Sequence, residues 1–321
     1  MRKVTRMATV LAATALGLSL TACSTDAGES GSTDPDSGSL GTVTVSIPPV
    51  ADSLPVFVAL DKGYFTDLGI EVELVPAANG ATAVNSLVSQ STDVALVSVP
   101  TLLSARSSGL PVTIAALGVD GTDEYEAAVY VLEESPITDL EGLLGKNMAT
   151  PSLKSIGDIF TRGELLDAGL DPEGVSYVEL PQSNMAGALE AGDVDAAFIT
   201  EPTLSEVRKT LDIRALSIQN GPQGLFATSE DTLDSRTDAI AAFREAIAMG
   251  VADIEEDPSG VAEATMPNHT DMDAETASTM SLPRYVTTWD PAGYQTMADL
   301  MVEVNMLENP VDAEELYREL D

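Results

Sequence analysis

The chain has 321 residues, 44% of them hydrophobic, and carries 52 acidic side chains against 15 basic ones, a formal charge of -37 at pH 7. So acidic a surface excludes nucleic acid as a partner, because phosphate contacts need clustered Lys and Arg. One cysteine and one histidine exclude disulfide staples, a Cys/His zinc or copper centre and most His-dependent catalytic triads.

The N-terminus reads in three zones. Arg2, Lys3 and Arg6 give a positive start, Met7 to Leu20 is apolar, and Leu20-Thr21-Ala22-Cys23 closes with small residues. That is the layout of a secretory signal peptide over residues 1–22, with an apolar stretch too short to favour a spanning helix. The ending resembles the bacterial lipobox, in which the cysteine receives a diacylglycerol and becomes the new N-terminus. Cys23 is therefore the expected lipidation site. Residues 23–41 are rich in Ser, Thr, Gly and Asp with almost nothing to bury, so they are expected to form a flexible tether.

From Val43 onward short β-rich runs alternate with helical patterns. Strands are expected at Val43–Ile47, Ile70–Val75, Val94–Ser98 and Val112–Leu117. Helices are expected at Val56–Lys62, Ala81–Val88 and Thr101–Ser107. A Gly- and acid-rich pause follows at Gly118–Glu126. The alternation then resumes with strands at Ala128–Leu132, Lys146–Thr150, Val175–Glu179, Ala196–Ile199 and Ile213–Ile218. Helices at Ile156–Ala168, Ala186–Ala191 and from Pro202 lie between them. After Asn220-Gly221-Pro222 the pattern is almost wholly helical, with one long helix at Arg236–Glu256. Strand–helix alternation of this kind implies an α/β fold with mainly parallel sheets.

The two halves echo each other. Residues 69–98 and 174–200 each run Gly, strand, polar break, small-residue helix, Asp-containing turn, strand. "KGYFTDLGI" precedes the first and "RGELLDAGL" the second. Two lobes of similar plan would face each other across a cleft beyond the carboxyl ends of their strands. Ser98 and Thr200 then hold equivalent strand ends. The helix starts at Ser53-Leu54, Gly80-Ala81, Ser152 to Gly157 and Asn184 would point into that cleft. Asp93 and Asp195 read as turn-fixing residues, Tyr285 and Trp289 as packing residues, and His269 as a solvent-exposed loop residue.

Three blocks carry a family resemblance: Ala59 to Glu73 ("ALDKGYFTDLGIEVE"), Gly145 to Pro151 ("GKNMATP") and Ala188 to Pro202 ("ALEAGDVDAAFITEP"). The chain resembles the substrate-binding proteins of ABC importers for nitrate, sulfonates and taurine, a group that includes binders of thiamine pyrimidine precursors. The resemblance runs from about Val43 to the C-terminus. It implies a two-lobed periplasmic-binding-protein-like fold of type II with a hinge. Residues 42–121 and 224–321 would form a discontinuous first lobe and residues 122–223 the second. It further implies a monomer held at the extracytoplasmic face of the cell membrane by its lipid alone. Its partners would be a small polar organic solute, sulfonate- or taurine-like, and an ABC permease with its cytoplasmic ATPase. No cofactor or metal is implied.

The candidate ligand-binding residues are Ser53, Leu54, Gly80, Ala81, Ser98, Val99, Ser152, Lys154, Ser155, Ile156, Gly157, Asn184, Thr200 and Glu201. The N–H groups and hydroxyls at Ser152 to Gly157 suit a carboxylate, sulfonate or phosphate, with Lys154 adding charge; plain helix capping by Ser155 is the other reading. Ser98-Val99 likewise reads as ligand contact or as a cap. Glu201 either favours a helix dipole or meets an amine or ring N–H. Three functions compete: a lipid-anchored importer receptor, a ligand-sensing module, and an enzyme like the related pyrimidine synthases. Those synthases carry a cysteine-rich motif and histidines for iron, which this chain lacks.

Overall fold

In the computed structural model of the chain, which describes residues 38–76, 79–122 and 127–320, the alternation Val43-Thr44-Val45-Ser46-Ile47 forms β1 (Gly41–Ile47). Leu40 already donates its N–H to the Gly69 carbonyl, so the fold engages the chain just before the expected start. The expected signal peptide, the lipidation site expected at Cys23 and the expected tether up to residue 37 lie outside the described residues. Next come α1 (Leu54–Lys62), α2 (Tyr64–Asp67), β2 (Ile70–Pro76), α3 (Gly80–Val88), β3 (Val94–Ser98), α4 (Val99–Ser107) and β4 (Val112–Gly121). The middle of the chain supplies β5 (Ala128–Leu132), β6 (Asn147–Thr150), α5 (Ile156–Asp167), β7 (Ser176–Glu179), α6 (Gln182–Ala191), β8 (Ala196–Ile199), α7 (Thr203–Arg208) and β9 (Ile213–Ile218). The last part holds β10 (Gly221–Ser229), α8 (Glu230–Ser235), α9 (Thr237–Glu256), α10 (Pro258–His269), α11 (Ala274–Thr279), β11 (Arg284–Tyr285) and α12 (Pro291–Glu303).

Two sheets organise these elements into two lobes. The first runs β11-β4-β10-β3-β1-β2 and the second β7-β6-β8-β5-β9. Each contains a parallel trio, β2-β1-β3 or β7-β6-β8, extended by an antiparallel pair, β10-β4 or β5-β9. The expected parallel character is thus confined to the trios, and both sheets are mixed. The sequence echo maps onto this plan, since β1, β2 and β3 correspond in order to β6, β7 and β8. Even the turns match. Asp93 Oδ2 accepts the Thr44 N–H of β1 at 2.8 Å, and Asp195 Oδ2 accepts the Asn147 N–H of β6 at 3.0 Å.

β10 corrects the expectation of an almost wholly helical C-terminal part. Its segment "GPQGLFATS" begins like a turn, yet it lies between β3 and β4. Pro222 is tolerated because the pairing with β4 shifts register between Pro222 and Gly224. The close approach also needs Gly118, where an added Cβ would lie 2.2 Å from the Gly224 carbonyl oxygen. Pairing of Gly221 with Gly121 puts residues 221–223 on the first sheet, ahead of the expected boundary at 224.

Burial follows the amphipathic patterns. In α9, Ile240, Phe243, Ile247, Val251 and Ile254 recur at helical spacing and join the core of the first sheet with Leu54, Phe57 and Val58 of α1. Gly63, at φ 77°, ends α1 with a left-handed cap. His269 is the last residue of α10 rather than a loop residue. It stacks on Phe57 with ring centroids 4.5 Å apart and pairs with Asp61. Trp289 packs between Tyr294 and Tyr317, and the buried Tyr285 donates its hydroxyl to the Ala51 carbonyl.

Candidate functional site

The carboxyl ends of both parallel trios meet around a cleft of about 670 Å³. On the first sheet's side β1 leads to Pro48 and Asp52, β2 leads towards Asn79 and Gly80, and β3 ends in Leu96 to Ser98. On the second side β6 leads to Pro151, Ser152, Ser155 and Ile156, β7 to Glu179 and Gln182, and β8 to Phe198 and Thr200. Gln223 and Gly224 of β10 complete the wall. Ligands of open α/β sheets sit at this place, because loops there splay apart and helix N-termini converge.

Six expected residues come together in the cleft: Gly80, Ser98, Ser152, Ser155, Ile156 and Thr200. Their polar groups are already ordered. The Ser98 hydroxyl caps α4 by accepting the Thr101 N–H and pairs with the Thr101 hydroxyl at 2.8 Å. The Ser155 hydroxyl pairs with Thr150 at 2.8 Å and does not cap α5, so the plain capping reading fails there. Thr200 and the Gln182 amide hold each other, Gln182 Nε2 donating to Thr200 Oγ1 at 2.9 Å and Thr200 N–H donating to Gln182 Oε1 at 3.3 Å.

The other eight do not line the cleft. Ser53 is fully buried and donates to the Pro48 carbonyl at 2.6 Å, while Leu54 and Val99 are fully buried core residues. Ala81 and Lys154 line an adjoining groove of about 470 Å³ that shares Asn79, Gly80, Thr101, Ser152 and Glu179 with the cleft. The Lys154 ammonium donates to the Met306 carbonyl at 3.3 Å, and its N–H donates to the buried Asp158. Gly157 is covered by Phe198, whose ring carbon would lie 2.3 Å from an added Cβ. Asn184 is exposed in the first turn of α6 and does not reach the cleft lining.

Glu201 is the clearest correction. Its carboxylate turns away from the cleft, is 2% exposed and accepts from the N–H and hydroxyl of Ser205 and of Ser281. It lines a separate groove with Arg208, Lys209 and Asp273. A strand end followed by Pro fixes where the backbone stops but not the side to which the next side chain turns.

Asp52, Asn79, Glu179, Gln182, Phe198 and Gln223 belong to the cleft and were missed by sequence reasoning. Asn79 had a readable signal, a polar residue before a small-residue helix: its Oδ1 accepts the Thr82 N–H at 2.9 Å and caps α3. Glu179 and Gln182 flank a strand end already marked by the echo. Gln223 sits in the unrecognised β10. Among the described residues no group of three or more His, Cys, Asp or Glu side chains is placed to hold a metal ion.

Two α/β lobes with a cleft between their strand ends define the periplasmic-binding-protein fold. Within that class the chain belongs to the NMT1/THI5-like family, whose family model matches residues 50–261. It is 30% identical over 155 residues to an aliphatic sulfonates-binding protein of Bacillus subtilis, covering 47% of this chain and 46% of that one. It is 28% identical over 152 residues to the 4-amino-5-hydroxymethyl-2-methylpyrimidine phosphate synthase THI13 of Saccharomyces cerevisiae, covering 47% and 43%. These matches span somewhat under half the length of each relative. The aliphatic sulphonate binding protein SsuA of Escherichia coli superposes with a TM-score of 0.72 at 17% identity, over 86% of this chain and 97% of that one. The nitrate-binding protein NrtA of Synechocystis PCC 6803 does so with 0.65 at 15%, over 85% and 84%. At these identities the likeness is one of fold.

Proposed function

We propose that the chain is the extracytoplasmic solute receptor of an ABC importer, anchored by a lipid on Cys23. It captures a small polar organic solute, of the sulfonate or taurine class or related to it, between its two lobes and delivers it to a permease with a cytoplasmic ATPase. The observation that carries this reading is the cleft: both parallel trios end on it, each contributing hydroxyls and amides. Among the described elements the chain passes from the first sheet to the second after β4 and returns after β9. Two short crossings suit a hinge that closes the lobes on a bound molecule. We take residues 42–121 with the C-terminal part as one lobe and the segment carrying β5 to β9 as the other.

Binding rather than catalysis is favoured by the chemistry of the wall. The chain's one histidine stacks on Phe57 outside the cleft, and the described residues of the lining offer amides, hydroxyls and carboxylates but no His or Cys. Catalysis of acid–base or nucleophilic type most often uses such groups.

A thermal-shift screen of sulfonates, nitrate, amino acids, flavins and pyrimidines tests the receptor reading. One chemical class raises the melting temperature with a concentration dependence that saturates, because a ligand of the native state stabilises it by mass action. No shift with any class, on a chain that melts cooperatively, removes the reading. The anchor has its own test: labelled palmitate enters the wild-type chain and not Cys23→Ala, and equal labelling of both contradicts it.

A further inference from the structure

The helix that begins at the cleft belongs to the cores of both lobes. α5 packs on the second sheet through Leu165, which is buried with Val129, Met148 and Phe198. Its Arg162 guanidinium lies 4.2 Å over the Tyr177 ring of β7, and its Glu164 accepts the Ser217 hydroxyl of β9. Yet Ile159 of the same helix is buried in the core of the first lobe, with Met297, Ala298 and Met301 of α12. Leu300 of α12 packs against Gly163 of α5, where an added Cβ would lie 2.7 Å from its Cδ2. Ile156, the first residue of α5, touches both cores and lines the cleft.

The lobes also touch on the opposite faces of their sheets, and there the contact is of another kind. Along β5, Val129 and Val131 share a core with α5, while Ala128 and Tyr130 share one with α7. Along β3, Ala95 and Val97 go with α12, and Val94 and Leu96 with α11. Alternate residues of a strand face opposite ways, so the α5–α12 contact and the α7–α11 contact lie on opposite faces. On the α7–α11 face Lys209 donates to the Thr276 hydroxyl at 2.7 Å, and Glu201 accepts from Ser281. Such polar groups exchange a partner for water at small net cost. The α5–α12 seam has nothing to exchange. Parting it exposes Ile159, Met297 and Met301 to water, which the hydrophobic effect opposes. A change in the angle between the lobes therefore keeps the seam together and turns about it. Close-packed side chains transmit such a movement rather than absorb it.

We propose that the α5–α12 seam is the pivot on which the two lobes turn, and that Gly163 sets the angle at which they rest. Ile156 stands at the cleft, and Gly163 lies two turns further along α5, about 10 Å behind it at the rise of an α-helix. A side chain added at Gly163 acts on the far side of the pivot from the cleft. It pushes Leu300 and α12 off the rear of α5, and so tips the cleft ends of the lobes towards each other. Glycine keeps the rear of the seam thin and the lobes apart at rest. Gly163 does not line the cleft, so any effect on a solute travels through the lobe angle. Raising the closed fraction from about one in ten to about one in two tightens the apparent affinity about fivefold, because affinity scales with the competent fraction. The pivot needs no solute to act, but its effect on affinity rests on the receptor reading above.

Spin labels on the outer strands of the two sheets read the angle directly. The parent for labelling is the full chain with Cys23→Ala, which removes its one thiol, and with Glu71→Cys on β2 and Ser176→Cys on β7, both exposed positions. Double electron–electron resonance without solute gives a shorter mean distance in Gly163→Leu than in the parent, and an intermediate one in Gly163→Ala. Combining Gly163→Ala with Leu300→Ala removes the side chain that the wedge meets and restores the parent distance, which a general loosening of the fold would not do. Gly163→Ala carries the test if Gly163→Leu fails to melt cooperatively. Calorimetry uses the probe that raises the melting temperature most in the thermal-shift screen. The variant with the shorter distance binds that probe about fivefold more tightly than the parent. An unchanged or longer distance in the Gly163 variants overturns the pivot, as does a distance that stays short once Leu300 is cut back. Equal or weaker binding by a variant with the shorter distance overturns the control of affinity. If no solute class shifts the melting temperature, the receptor reading falls while the distances still decide the pivot.

Discussion

Glu201 is a buried carboxylate satisfied on both sides, by Ser205 of α7 and by Ser281 after α11, at 3.0 to 3.4 Å. Removing it leaves those donors without their acceptor, which costs about 1–3 kcal/mol. Glu201→Ala should lose that much stability in urea unfolding. Because the carboxylate faces away from the cleft, calorimetric solute affinity in native buffer should change little. Glu164 behaves differently. Burial pushes its carboxyl above the ordinary glutamate range, and the hydrogen bond from the Ser217 hydroxyl only partly offsets this. A raised folded-state pKa means that the native chain holds its proton longer than the unfolded one. The stability tied to that proton is present below the unfolded value of 4.5 and is lost as pH rises towards the folded value. Glu164→Gln keeps the acceptor and removes the ionisation. Its urea midpoint relative to wild type should therefore rise as pH is raised from 4 to 7, and a pH-independent difference would refute this account. At this scale sequence patterns pointed to Ser98, Ser155 and Thr200, which line the cleft. They could not foresee the direction of Glu201 or Lys154, because side-chain direction is set by partners distant in sequence, Ser281 and the Met306 carbonyl.

At the scale of elements, the site is built from turns that carry the chain off a strand end into a helix. The turn before α5 shows how such a turn is held. Lys154 takes a left-handed φ of 60°, which side-chain-bearing residues seldom adopt. Asp158 accepts its N–H at 2.8 Å and the Arg162 guanidinium at 2.7 Å, and so fastens the turn to the helix. Gly157 then lets α5 start directly against Phe198, the ring that forms part of the cleft wall. Gly157→Ala forces that ring aside, and overpacking of this kind costs about 1–3 kcal/mol. The variant should melt earlier and bind solute more weakly; an unchanged melting temperature together with unchanged affinity would show that the contact is slack. Most elements were legible from periodicity: strands at Val94–Ser98, Ala128–Leu132, Ala196–Ile199 and Ile213–Ile218 form over the expected residues. β10 was not, because Gly and Pro at its start read locally as a turn, and its place between β3 and β4 is decided by pairing with strands over a hundred residues earlier.

At the scale of the whole molecule, the two sheets repeat one plan, a parallel trio with an antiparallel pair, and both aim their strand ends at the same cleft. The repeat was visible in the sequence as the paired "DVALVS" and "DAAFIT" runs. The full lining of the cleft was not, since Asp52 and Glu179 lie 127 positions apart and only the folded chain brings them to the same cleft. A solute receptor of the kind proposed should work by closure, so that binding and contraction are one event. The most direct measurement is small-angle scattering of the chain titrated with the probe that binds best, in parallel with a Thr200→Trp variant whose indole fills the cleft. The radius of gyration should fall with the binding isotherm in the wild type, and the variant should show neither binding nor contraction. Undiminished binding by Thr200→Trp would place the solute outside the cleft and contradict the account.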